Sequence, residues 1–167
     1  TPCEHSFPTR RSSDLENLEL NELARQLFED EESTFEKRSL KLELELSNEP
    51  VYTYGDSNLL ARAVNNLLSN SLKYSKPNTV VKIKISREKL NNVNYGVFSF
   101  SNIPKEPISK AEVGSFFERL YKKDQSRSDE GSGLGLSIVK DIVKLHGGTI
   151  KVYNEKEEII FKLFIKS

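Results

Sequence analysis

The sequence predicts an α+β two-layer sandwich, with helices packed on one face of a sheet. Strand patterns occur in pairs, helical patterns lie between the pairs, and no regular strand-helix-strand alternation runs through the chain. That order disfavours a doubly wound parallel sheet.

Taken in order, "LELNELARQLFEDEESTFEKR" places apolar residues at Leu18, Leu20, Leu23, Leu27 and Phe35 and reads as one helix ending near Lys37, with "EDEES" as its solvated side. "LKLELELS" alternates strictly from Leu40 to Leu46, the mark of a half-buried strand. "EPVYTYGD" is a second short strand closed by Gly55, and a long helix follows with Asp56 or Ser57 as its N-cap. "TVVKIKIS" and "NYGVFSFSN" are strands joined through Asn91–Asn92. Residues 103 to 132 are irregular and charged, apart from the aromatic piece "SFFERLY". A last helix then opens, and the chain closes with the strands "TIKVYN" and "EIIFKLFIK", joined tightly at "EKE".

Composition bounds the function. The chain has 167 residues, 36% hydrophobic and 30% charged, enough for one soluble domain with a core. Its formal net charge is zero, which argues against nucleic acid or an anionic membrane as partner. A single cysteine rules out an internal disulfide framework and fits a reducing compartment. No apolar run approaches a membrane span, and the opening residues lack the apolar core expected of a signal peptide. The opening stretch "HSFPTRRSSDL" has no periodicity and agrees, residue by residue, with the frame translation of a common sequencing adaptor. Residues 1–15 are therefore expected to be foreign to the fold and disordered, Cys3 and His5 carry no functional weight, and the domain occupies residues 16–167. The natural chain is expected to extend upstream of Glu16.

Two features carry chemistry. In "EGSGLGLSIVKDIVKLHGG", Gly131, Gly133 and Gly135 run into an amphipathic helix. Glycines at a helix start let backbone N–H groups approach a phosphate, and the helix dipole favours the negative charge. A dinucleotide fold needs a strand just before such glycines, but "YKKDQSRSDE" is a charged loop; the Gly-Lys-Ser/Thr of a Walker loop is absent as well. The second feature lies on the long helix. Asn66, Asn70 and Lys73 share one face, while Leu60, Val64, Leu67, Leu68 and Leu72 occupy the other. The leucines are expected to meet the sheet and the amide pair and ammonium to point outward. Two asparagines on one helical stripe are unexpected without a ligand, because asparagine is a poor interior helix former. An amide oxygen is a hard ligand suited to Mg²⁺, and a lysine is a point charge for phosphate.

These residues resemble the ATP-binding domain of histidine kinases. "NNLLSNSLKYS" is similar to its N box, "SFFERLYKKDQSRS" to its F box and lid, and "GSGLGLSIVKDIVKLHGG" to its G2 box, in the family's order. The resemblance spans about residues 16 to 167 and implies the Bergerat fold, a mixed and mostly antiparallel sheet under about three helices. It implies ATP and Mg²⁺ as cofactors, with Asn70 as the metal ligand and Asn66 supporting the phosphates. Lys73 would contact phosphate and Tyr74 would line the nucleoside. Lys122 stands where the family often has a γ-phosphate arginine; Arg119 and Arg127 are further candidates. Ile108, Phe117, Tyr121, Gly131, Ser132, Gly133, Leu134, Gly135 and Leu136 complete the implied nucleotide site. His146 reads as a helix-end residue before a left-handed glycine, not as a phosphoacceptor.

The chain departs from the family at the G1 box, normally Asp-x-Gly-x-Gly. Here it reads "SNIPKEPIS", with Asn102 at the aspartate position and no glycine after it. An asparagine oxygen still accepts from the adenine amino group, without the assistance of charge. Related ATPases place a glutamate general base one turn before the metal-binding asparagine; here that position is Asn66, which takes no proton. The resemblance thus implies phosphoryl transfer to a histidine on an upstream dimerisation hairpin absent from this chain. It further implies a response regulator as partner, a homodimeric parent and a cytoplasmic domain of a membrane-anchored protein. A GHKL-type ATPase and a degenerate, non-catalytic docking module are the alternatives.

Overall fold

Alternation of leucine with charge makes Leu40–Glu45 (β2) the start of the main sheet. The computed structural model describes residues 15–113 and 136–167. Within them, β2 runs parallel to Thr79–Leu90 (β4). Val93–Asn102 (β5), Glu158–Lys166 (β7) and Thr149–Glu155 (β6) add antiparallel neighbours, in the order β2-β4-β5-β7-β6. The register carries one inward-facing row across four strands: Ile83 pairs with Phe100, Phe100 with Phe161 and Phe161 with half-buried Val152. That row, with Leu42, Val81 and Leu163, shares one core with three helices, Leu20–Lys37 (α1), Ser57–Tyr74 (α2) and Leu136–Leu145 (α3). The mixed, mostly antiparallel sheet and its helical layer are the expected sandwich.

The β4–β5 hairpin runs longer than its alternation suggested. Asn91 and Asn92 both hold positive φ, 50° and 63°, the conformation a two-residue hairpin turn requires and asparagine tolerates. Asp56 is the N-cap of α2, its Oδ1 accepting from the N–H of Asn58 and Leu59 at 2.9 and 3.1 Å.

The first helix begins later than its apolar spacing indicated. Glu16–Glu19 (β1) pairs antiparallel with Tyr52–Gly55 (β3) as a separate two-stranded sheet. Leu18 and Leu20 are two residues apart, which also suits a strand, and the strand prevails because Glu19 is spent as a cap. Its carboxylate accepts from the N–H of Asn21 at 2.9 Å and of Val51 at 3.1 Å, holding the residue extended. Gly96 makes room for this corner: a Cβ there would lie 2.6 Å from Leu20 Cδ1 and 2.9 Å from Thr53 Cγ2.

α3 ends as expected. Gly147 turns left-handed at φ 67°, and Gly147 and Gly148 donate back to the carbonyls of Lys144 and Val143, both at 3.0 Å. Gly148 admits no side chain, since a Cβ would lie 1.6 Å from the Phe164 carbonyl oxygen. Buried His146 adds a tie the sequence did not disclose. Its Nδ1 lies 2.7 Å from the Ile142 carbonyl oxygen, and its Nε2 accepts from the N–H of Asp56 at 3.0 Å, linking the end of α3 to the cap of α2.

Candidate functional site

The polar stripe of α2 is not where helical periodicity put it. Lys73 is exposed, but Asn66 and Asn70 are only 5% and 8% exposed, so the expected outward-facing amide pair is buried. The apolar residues of α2 do enter the core, with Leu72 only partly covered. The Nδ2 atoms of both asparagines lack a hydrogen-bond partner among the described residues. A buried donor left unmade costs about 1–3 kcal/mol. Two of them, one turn apart on the stripe already marked out by spacing, are the signature of a site built for a ligand.

Beside Asn70 lies a narrow slot of about 10 Å³ lined by Asn70, Ser71, Tyr74, Asn102 and Pro104, with Ile159 and Phe161 of β7 against it. Three of the residues picked out in the sequence, Asn70, Tyr74 and Asn102, therefore meet in one place. β5 delivers Asn102 to the helix-facing side of the sheet, opposite Ile159 in the register. There its Nδ2 donates to Ser75 Oγ at 2.9 Å, and both residues are buried. The segment that follows lacks the family's glycines and is instead clamped to the end of α2. Lys76 N–H donates to the Ile103 carbonyl at 2.7 Å, and Lys105 N–H to the Tyr74 carbonyl at 2.8 Å.

Two further expected residues do not line this slot. Ile108 packs on the core, and its carbonyl accepts from Asn154 Nδ2 at 2.8 Å. The Leu136 side chain is fully buried in the core. Phe117, Arg119, Tyr121, Lys122, Arg127, Gly131, Ser132, Gly133, Leu134 and Gly135 lie outside the described residues. Ser71, Ser75, Pro104, Ile159 and Phe161 were not singled out in the sequence. Alternation along β7 marks Ile159 and Phe161 as inward-facing, but nothing local says that this end of the strand meets Tyr74.

The residue types present suit a magnesium nucleotide: a neutral oxygen donor at Asn70, an exposed cation three residues on at Lys73, and apolar Ile159 and Phe161 beside the amide of Asn102. Residues 55–166 match the profile of the histidine kinase-, DNA gyrase B- and HSP90-like ATPases. The chain belongs to that family. Within it, the likeness is to the ATP-binding domain of sensor histidine kinases. The chain is 39% identical over 112 residues to the probable sensor protein PcoS of Escherichia coli, a match covering 65% of this chain and 23% of that protein. It is 32% identical over 144 residues to the heme sensor protein HssS of Staphylococcus aureus, covering 86% and 30%. Its fold superposes on the catalytic domain of the histidine kinase ThkA with a TM-score of 0.69 at 26% identity, covering 91% of this chain and 95% of that one. The chain therefore spans less than a third of the length of these two sensor proteins, but nearly all of an isolated catalytic domain. No described helix is long and apolar enough to cross a membrane.

Proposed function

We propose that this chain is the catalytic ATP-binding part of a sensor histidine kinase, moving the γ-phosphoryl group of ATP to a histidine on a separate dimerisation hairpin. The observation that carries the reading is the slot in which Asn70, Tyr74 and Asn102 converge, with the amide nitrogens of Asn70 and Asn66 buried and unpartnered among the described residues. Mg²⁺, when bound, neutralises developing charge on the transferring phosphoryl group. Asn70 would hold the metal and Asn66 would support the phosphates. Lys73, free in solvent at the last turn of α2, would reach a phosphate as a point charge. Tyr74, Ile159 and Phe161 would enclose the base and exclude water, and Asn102 would accept from its amino group. By the family resemblance, Gly131, Gly133, Gly135 and Lys122, which lie outside the described residues, would contact the triphosphate.

Asn66 favours transfer over hydrolysis. An amide abstracts no proton from water, so the chain supplies no general base one turn before Asn70. The nucleophile then comes from the hairpin, and this half contributes positioning and electrostatics. A response regulator as next acceptor, a homodimeric parent and membrane anchorage of that parent belong to the same reading.

Incubating the chain with γ-labelled ATP and Mg²⁺ tests it. The expected result is saturable, Mg²⁺-dependent binding with negligible phosphate release, and label on histidine when a dimerisation hairpin is added as a second polypeptide. Steady hydrolysis by the chain alone would favour the ATPase alternative, and absence of ATP binding would favour the docking module.

A further inference from the structure

Asp56 caps α2 with its carboxylate, but a full cap has a second half. In a capping box the third residue of the helix is an acid or amide that accepts from the N–H of the capping residue. In α2 that position is Leu59, which accepts nothing. The acceptor comes instead from the end of α3: the Asp56 N–H donates to His146 Nε2 at 3.0 Å. The roles in this contact are unambiguous. A backbone N–H only donates and a carbonyl only accepts, so Nε2 is bare and Nδ1 carries the hydrogen that meets the Ile142 carbonyl at 2.7 Å. The fold makes room for the ring: His146 is buried, and a Cβ on Gly55 would lie 2.3 Å from its Cδ2. An imidazolium bears hydrogens on both nitrogens and has no acceptor to offer Asp56. The charged and titratable groups around the ring are Asp56 on α2, Lys144 on α3, Lys166 on β7, Tyr54 on β3, and Glu16 on β1 opposite Gly55. The carboxylates and the carbonyl end of α3 favour a cation, while the start of α2 and the two lysines oppose it. Asp56 Oδ1 is already spent on the N–H groups of Asn58 and Leu59, so the meeting of two donors at Nε2 decides.

We propose that His146 is a positioning residue that, as a neutral imidazole, completes the cap of α2 from α3, and that its protonation releases the cap and weakens nucleotide binding in mild acid. The second half of the inference rests on the nucleotide reading above; the first does not. α2 carries Asn66, Asn70 and Lys73, and α3 begins directly after Gly135, so one ring ties together the two helices that would hold metal and phosphates. In an unfolded chain imidazole takes up its proton at about pH 6.5. A fold that needs the neutral ring is therefore at full strength above that value and loses stability below it.

Nitrogen NMR of the imidazoles reads the ring directly, with His5→Gln separating the signals of the two histidines. At pH 7.5 the His146 ring is expected to be neutral with its hydrogen on Nδ1. A hydrogen on Nε2, or a folded ring that takes its second proton at or above about pH 6.5, overturns the proposal without any change at position 146. His146→Gln supplies a carbonyl that accepts from Asp56 but does not titrate. Between pH 7.5 and 5.5 the folding constant of the unaltered protein, from urea titrations, should fall about tenfold further than that of His146→Gln, the factor given by a ring neutral in the fold and protonated in the unfolded chain. Over the same range its Kd for Mg²⁺-ATP should rise at least about threefold further, a comparison in which protonation of ATP itself cancels. Parallel pH dependence of stability in the two proteins overturns the cap. A tenfold difference in stability with parallel Kd values overturns control of the site. If the unaltered protein binds no ATP at pH 7.5, the nucleotide reading and the control of the site fall together, and NMR and urea still decide the cap.

Discussion

At the scale of single residues, the candidate site is marked by polar atoms that the fold buries without a partner among the described residues. Spacing alone placed Asn66 and Asn70 on one stripe of α2, and the chemistry of amides suggested a metal. Their burial could not be read from that spacing, because a helix sequence states which residues share a face but not what covers each face. Asn102 was legible as a departure from a motif; its partner Ser75 was not, since the two are 27 positions apart and meet only through the pairing of the β5 end with the end of α2. The expected behaviour of Asn70→Ala follows from the missing partner. No hydrogen bond from Nδ2 to a described residue is lost, so stability should change by no more than about 1 kcal/mol, well under the cost of breaking a buried network. Mg²⁺-dependent ATP affinity should fall at least tenfold, or about 1.4 kcal/mol. Calorimetric titration with and without chelator, beside urea denaturation, separates the two effects. Unchanged affinity would remove Asn70 from the metal site.

At the scale of elements, period-two alternation found the strands and period-3.6 spacing found α2 and α3. Both work because each element has one buried side. The errors fell where a single side chain decides the conformation: Glu19 turns what reads as the first turn of α1 into a strand, and the Asn91–Asn92 turn lengthens both arms of the β4–β5 hairpin. Pairing was illegible too. On the sheet face away from the core, Lys162 of β7 reaches across β5 to Glu88 of β4 at 2.7 Å, and its ammonium lies 5.7 Å from the Tyr153 ring centre on β6. Burial opposes the charge on Lys162, but the hydrogen bond and charge of Glu88, with help from Tyr153, outweigh it and raise the lysine above its ordinary 10.5. A raised folded value means that the stabilisation is fully present below pH 10.5 and is lost as pH climbs through the folded value. Glu88→Gln should therefore cost about 0.5–1 kcal/mol near neutrality, at the upper end for an exposed pair. The gap to the unaltered protein should close above that range. Urea midpoints from pH 7 to 11.5 give the comparison, and a gap independent of pH would mean that the glutamate acts by packing alone.

At the scale of the whole molecule, the site draws on elements far apart in sequence. α2 supplies Asn66, Asn70 and Tyr74, β5 supplies Asn102, and β7 supplies Ile159 and Phe161, while His146 fastens the end of α3 to the start of α2. These elements share one core, so a ligand touching the slot stabilises the cooperative unit and not merely a loop. Binding to the folded state alone adds RT ln(1 + [L]/Kd), about 2.7 kcal/mol at a hundredfold excess over Kd. For a domain of this size that corresponds to a rise of roughly 5–10 °C in Tm. Mg²⁺-ATP is therefore expected to raise the melting temperature by that amount. ATP with chelator should give a clearly smaller rise, because the phosphates then meet Lys73 and the backbone without the metal to neutralise them. Asn70→Ala should show the same small rise with or without Mg²⁺, since it removes the proposed ligand of the metal. A full shift in chelator would place the binding energy in the base and phosphates alone and remove the metal from the site. A full Mg²⁺-dependent shift in Asn70→Ala would assign the metal to other residues of the chain.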